Sequence, residues 1–223
     1  MTARARLLDL GRKPYGDVLA LQRRLHEAVR EGRVPDTWIV VEHDPVVTLG
    51  RQAKRENVLL ADEELRARGV EVVAVERGGD VTYHGPGQLV VYPIRTMERF
   101  REVVPLVRSL EGAVIAACAR FGVAGERWAA HAGVWVGPNQ ICAVGLAVQR
   151  MVSLHGLAFN VSTDLSYDRL INPCGLRDRG VTSLSRETAR HVPMDEAKHV
   201  LLEELAREFA LEFYQERPQR VAV

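Results

Sequence analysis

The residues best suited to chemistry fall in a few short segments of a 223-residue chain. The first is Arg77-Gly78-Gly79-Asp80-Val81-Thr82-Tyr83-His84-Gly85-Pro86-Gly87-Gln88, which joins an apolar run ending at Glu76 to another beginning at Leu89. A plain hairpin turn needs about two to five residues. This connection carries four glycines, a proline and several polar side chains. Glycines let backbone approach a ligand and expose its N–H groups, while polar side chains orient what is bound. The spacing matches neither the dinucleotide-binding nor the P-loop pattern, so a nucleotide phosphate cradle is not indicated. A wide glycine-rich loop with incidental polar residues is the competing reading.

The second segment is Asn172-Pro173-Cys174-Gly175-Leu176. Proline and glycine around a cysteine indicate a turn, which exposes the thiol. Cys118 falls on the apolar stripe of a helical pattern and Cys142 in an Ile-Cys-Ala-Val run, so both read as buried small hydrophobes. Only Cys174 has the setting of a nucleophile. An unperturbed thiol has a pKa of about 8.5, so a reactive one needs an activating neighbour. His43, His84 and His155 all stand beside turn residues and are candidates for that role, whereas His26, His191 and His199 have helical or surface-like settings. His131, close before Gly133, fits neither group. The chain has few ammonium groups to offer: Lys13, Lys54 and Lys198 are its lysines. No cluster of His, Cys or carboxylate at metal-ligand spacing is present.

These segments need elements to position them. Apolar residues at three- and four-residue steps predict helices over residues 15–30, over Val103 to Phe121 up to Gly122, and from Ala197 through Phe209 to Phe213 after Pro193, with a shorter one over 62–68. Short β-rich runs occupy 38–42, 70–76, 89–94, 133–136, 141–148 and 154–160. Several follow one another with no helix between, which favours antiparallel pairing over repeated βαβ units. The expected fold is mixed α/β (α+β), a mixed sheet sandwich with flanking helices. No repeat or linker-like shift divides it, so residues 1–223 are read as one catalytic domain.

Composition narrows the function. The formal net charge is +1, which gives no overall field for nucleic acid or an anionic membrane. No run approaches the length of a membrane span. The first ten residues lack a signal-peptide core, which points to the cytoplasm. Three cysteines without a Cys-x-x-Cys pair argue against a disulfide framework or a structural zinc site.

The first segment, followed by Tyr92-Pro93, resembles the signature of the octanoyl-acyl-carrier-protein:protein octanoyltransferases, the enzymes of lipoate biosynthesis. Glu42-His43-Asp44-Pro45 with Thr48-Leu49-Gly50-Arg51 resembles that family's upstream motif. His155-Gly156-Leu157-Ala158-Phe159-Asn160 and Pro173-Cys174-Gly175 complete the set in the family's order. The resemblance spans residues 35–183 and implies a fold similar to biotin and lipoate protein ligases. It implies an octanoyl group passing from acyl-carrier protein to Cys174 and then to a lysine of a lipoyl domain, on 2-oxoacid dehydrogenase E2 subunits or the glycine cleavage H protein. It also implies substrate contacts at Arg77, Gly78, Gly79, Asp80, Val81, Thr82, Tyr83 and His84, at Ala143, Val144 and Gly145, and at Gly156, Leu157 and Ala158. Such a transfer needs no cofactor, ATP or metal, and no nucleic acid or membrane; a monomer is expected. Glycines 79, 145 and 156 are expected to leave room for the acyl chain, where burying six methylenes contributes roughly 5 kcal/mol at about 0.8 each.

In the family a lysine lowers the pKa of the cysteine, and here that position is Gln140, which cannot supply the charge. His84 and His155, with His43, are then the candidates for base or positioning group. Two other activities stay open on the same fold: an ATP-dependent lipoate or biotin ligase, and a non-catalytic lipoyl-domain binder.

Overall fold

The computed structural model describes residues 3–172 and 179–215. In chain order its elements are β1 (Ala3–Lys13), α1 (Tyr15–Arg30), β2 (Thr37–His43), β3 (Val46–Leu49), α2 (Asp62–Ala67), β4 (Glu71–Ala74), β5 (Val81–His84), β6 (Gln88–Ile94), α3 (Val103–Arg120), β7 (Glu126–Trp128), β8 (His131–Val136), β9 (Asn139–Gln149), β10 (Val152–Asn160), β11 (Gly180–Val181), α4 (Leu184–Glu187), α5 (Met194–Glu208) and β12 (Leu211–Tyr214). Short 3-10 segments lie at Arg55–Asn57, Phe100–Glu102 and Leu165–Leu170.

The large sheet runs β12-β1-β2-β6-β10-β9-β8-β7, with β11 beside β9; a small sheet runs β4-β3-β5. Pairing is antiparallel from β2 through to β7, as the adjacency of the runs predicts, and parallel at β12-β1-β2. The apolar stripes of α3 and α5 cover one face of the large sheet around Leu110, Val114, Leu157, Phe159 and Leu201. The stripe of α1 covers the other around Val18, Leu25, Ile39, Val90 and Leu154. Val47, Leu65, Val81, Tyr83 and Ile171 form a separate core under the small sheet.

Three features depart from the sequence reading. The glycine-rich connection is not one loop: β5 lies inside it and pairs with β3, an unpredicted strand. The last helix stops at Glu208, the chain turns at Ala210 with φ at +49°, and Phe213 lies in β12. Phe209 and Phe213 mimic helical spacing because both turn their rings edge-on to Trp38, at 5.0 and 5.5 Å. β1 was also not predicted. Its buried positions mix Ala5 and Leu7 with Arg6, whose Nε donates to Thr37 Oγ1.

Candidate active site

A cleft, open to solvent at one end, lies between the small sheet and β9–β10; it and the solvent at its mouth take up about 990 Å³. Residues 77–84 form one wall; residues 143–145 and 156–158 face them from paired positions on β9 and β10. Gln140 and Ala132 stand at the rim beside Val181, which pairs with Gln140. The three sequence-distant segments and Gln140 thus share one cavity.

The loop at 77–80 is fastened from several sides. Gly78 N–H donates to the Leu146 carbonyl on β9, and Arg51 and Gln52 N–H groups donate to the carbonyls of Arg77 and Gly79. Arg77 is buried; its Nη2 donates to the Thr48 carbonyl at 2.8 Å, and its Nε and Nη2 reach Thr48 Oγ1. Asp80 accepts the Lys54 N–H at 3.1 Å and the Asn57 side-chain amide. The Asn57 carbonyl in turn accepts the Asn172 N–H at 2.7 Å. Cys174 lies outside the described residues. The chain before it is held at Asn172, and the chain after it at Gly180 and Val181 on β9.

Gly79, Gly145 and Gly156 all line the cleft, but at Gly145 and Gly156 the side-chain position itself is taken by protein. A Cβ on Gly156 would sit 2.0 Å from the Val91 carbonyl oxygen, and one on Gly145 would sit 3.2 Å from Arg77 Cδ. Both glycines permit close backbone packing, and protein already fills the volume in question.

Burial governs the titratable groups. His43 donates from Nδ1 to the Lys13 carbonyl, so its Nε2 accepts the Tyr92 hydroxyl at 2.9 Å. Burial pushes His43 down to about 4, and burial with neighbouring His43 pushes His84 down to about 3. Gln88 spends its amide N–H groups on Tyr83 and Asn160, so its Oε1 accepts from His84 Nδ1 at 2.8 Å. Burial raises Tyr15 to about 12 and Tyr92 well above its usual range. His43, His84, Tyr15 and Tyr92 are therefore neutral near pH 7, with the charged Arg77 and Glu76 close by. His155 is buried with φ at +60°, 3.7 Å from Glu76 Oε2. The nearby His155 ring and then the hydrogen bonds from Arg23 hold the Glu76 carboxyl well below the usual carboxylate range. From Gln140 to Leu146, the residue opposite His155, β9 advances about 20 Å at roughly 3.3 Å per residue. His155 and Gln140 therefore occupy opposite ends of the cleft.

Cys118 and Cys142 are buried, and burial pushes the Cys118 thiol up to about 12 and Cys142 well above its usual range. None of the three lysines lines the cleft. No group of three or more His, Cys, Asp or Glu able to hold a metal occurs among the described residues.

A model of the lipoyl protein ligase A/B catalytic domain matches residues 14–206. The chain belongs to that family. It is 42% identical over 203 residues to an octanoyltransferase of Maridesulfovibrio salexigens, covering 91% of this chain and 95% of that one. It is 46% identical over 194 residues to an octanoyltransferase of Porphyromonas gingivalis, covering 82% of this chain but 39% of that longer protein. Among solved structures, lipoate-protein ligase A bound with ATP aligns with a TM-score of 0.78 at 19% identity, over 99% of this chain and 90% of that one. That likeness concerns the fold, and the fold is the one expected. Family and relatives together make this lipoyl protein ligase A/B member an acyltransferase.

The sequence reading missed Tyr15, Gln88, Tyr92, Ala132, Asn160, Thr163, Asp164, Leu165, Ile171 and Val181 as parts of the lining. Gln88, Tyr92 and Asn160 stood inside motifs already noted, which was the available signal. Tyr15 begins a helix far upstream and carried none. Among the described residues no helix is long and apolar enough to cross a membrane.

Proposed function

We propose that the protein transfers an octanoyl group from acyl-carrier protein to a lysine of lipoyl domains, through a thioester on Cys174. The observation that carries this reading is the shared cavity: residues 77–84, 143–145 and 156–158 line one cleft, in a chain related to octanoyltransferases. In the first step the Cys174 thiolate attacks the donor thioester carbonyl. The carrier thiolate leaves and takes up a proton, and the octanoyl group is now bound through Cys174 sulfur. In the second, a neutral lysine amine attacks that carbonyl; the amide forms, the amine gives up a proton and the Cys174 thiolate is released. Neither step needs ATP or a metal. The chain acts as one catalytic domain, a cytoplasmic monomer in this reading.

Gln140 stands at the rim, its Nε2 directed to the Ala132 carbonyl at 3.5 Å. Its amide offers no charge, so activation of Cys174 falls to other groups. His84 is neutral and His155 lies at the other end of the cleft from Gln140; in this reading both are positioning groups.

Intact-mass measurement after incubation with octanoyl-acyl-carrier protein tests the proposal. An octanoyl adduct that disappears in Cys174→Ala is expected; no adduct, or one that survives the substitution, refutes it. ATP–pyrophosphate exchange separates it from an ATP-dependent ligase, a reading kept because of the fold shared with lipoate-protein ligase A.

A further inference from the structure

One end of the cleft is open and the other is blind. Ala132 and Asp164 at the mouth are exposed and Gln140 is half-buried, whereas Tyr15, Tyr92 and His155 at the opposite end are 2%, 3% and 2% exposed. Between them the lining runs along the paired short residues Ala143–Ala158 and Gly145–Gly156. We propose that Tyr15, Tyr92 and His155 are the stop that sets how long an acyl chain the protein accepts. This rests on the reading above that the cleft takes an acyl chain.

The three rings are fixed, as a stop requires. Tyr92 is tied through its hydroxyl to His43, and Tyr15 stacks on His84 with ring centroids 5.9 Å apart. The backbone of β10 holds His155. Leu157 pairs with Val91 and Val152 with Thr96, so His155 stands opposite Pro93, which has no N–H for the ladder. The His155 N–H goes instead to Gln22 Oε1 on α1 at 3.0 Å, and the residue takes φ at +60°. Left-handed backbone at a non-glycine residue persists only where its surroundings enforce it.

The wall is also polar. His155 Nδ1 and Gln22 Nε2 are buried without a hydrogen-bond partner among the described residues, and His155 Nε2 has the Glu76 carboxylate 3.7 Å away, beyond hydrogen-bond distance. A methyl end can rest against the ring edges. Carbons beyond it would have to pass these nitrogens and shut them off from any water, which opposes entry.

The test is equilibrium binding of hexanoate, octanoate, decanoate and dodecanoate to the intact chain, alongside the adduct assay. In the wild type, affinity should rise roughly tenfold from hexanoate to octanoate, the gain for two buried methylenes, and rise no further. His155→Gly accepts φ at +60° and removes the ring. It should extend the rise to decanoate by about the same factor. Tyr15→Ala opens the same end from α1 and should act in the same direction. Affinity that climbs through dodecanoate in the wild type overturns the stop. So does an unchanged cut-off in both variants, each shown folded by circular dichroism. If the cut-off shifts but no acyl adduct forms, the stop stands and the transferase reading falls. If no acid binds and no adduct forms, both fall.

Discussion

His43 Nε2 accepts the Tyr92 hydroxyl at 2.9 Å while its Nδ1–H is held by the Lys13 carbonyl, so the bond is made by a neutral imidazole. His84, 6.1 Å away between ring centroids, is neutral for the same reason: burial.

Two buried neutral histidines make stability depend on acid. Their native values, about 4 and about 3, lie below the 6.5 of an ordinary histidine. Between those limits the unfolded chain binds protons that the folded chain refuses. Stability is therefore full above pH 6.5 and falls as the pH drops towards 4, approaching about 2.7 kcal/mol per pH unit for two sites. Urea denaturation at pH 7, 6 and 5 checks this. His43→Asn should lower stability at pH 7 by breaking the Tyr92 bond, yet flatten the acid slope by about one proton. An unchanged slope would mean that His43 titrates normally.

Gln140→Lys should restore a charge at the cleft rim. Its neighbours accept the change: the Gln140 amide contacts the Ala132 carbonyl and occupies the open side of Gly133. With an ammonium there, the rate of octanoyl adduct formation should rise at neutral pH and its pH profile should move to lower pH, because a nearby cation favours thiolate. Initial rates between pH 6 and 9 report this directly. A profile that stays in place shows that another group already activates the thiol.

Much of this architecture can be read in the sequence where local pattern and tertiary packing agree. The α1 stripe predicts Tyr15–Arg30, and Gly122, at φ +74°, ends the helix that Val103 begins. Local pattern failed where partners are distant. β1 looks too polar for a strand because Arg6 is buried against Thr37, thirty-one positions on. β5 is hidden among glycines because β3, its pairing partner, lies far upstream. The cleft wall at 77–84 was visible as unusual composition, but the blind end was not. It brings Tyr15 from a helix start together with Tyr92 and His155 from two strands. Pro93, near the end of β6, was a local sign of that irregularity.

Two glycines separate packing from propensity. Gly156→Ala would place a methyl 2.0 Å from the Val91 carbonyl oxygen and 2.8 Å from Pro93 Cδ, and backbone cannot yield cheaply. It should cost about 3 kcal/mol or leave the chain insoluble. Gly16→Ala, in the first turn of α1 with nothing within 4 Å, should instead stabilise by about 0.5 kcal/mol. Denaturant midpoints measure both. Equal effects would remove close strand packing as the reason for Gly156.

Glu111 joins α3 to the rim of the cleft. Its carboxylate is buried, with Arg108 Nη1 at 2.9 Å and Arg127 Nε at 3.2 Å, and it accepts the Gly133 N–H at 2.9 Å. Gly133 has φ at +131°, and Cys142 O and Gln140 Nε2 occupy the space a Cβ would need. Glu111→Ala removes the acceptor for that N–H, but the two arginines are part-exposed and can turn to water. The cost should therefore be about 2 kcal/mol, below that of a fully buried pair. For a chain of this size that is a fall of roughly 4–8 °C in thermal midpoint. Glu111→Gln keeps an acceptor for Gly133 and should recover about half. Because Ala132 and Gly133 border Gln140, octanoyl adduct formation should slow in Glu111→Ala at temperatures where the protein is still folded. Scanning calorimetry paired with the adduct assay separates the two effects: a lowered midpoint with an unchanged adduct rate would make Glu111 a support of the fold alone.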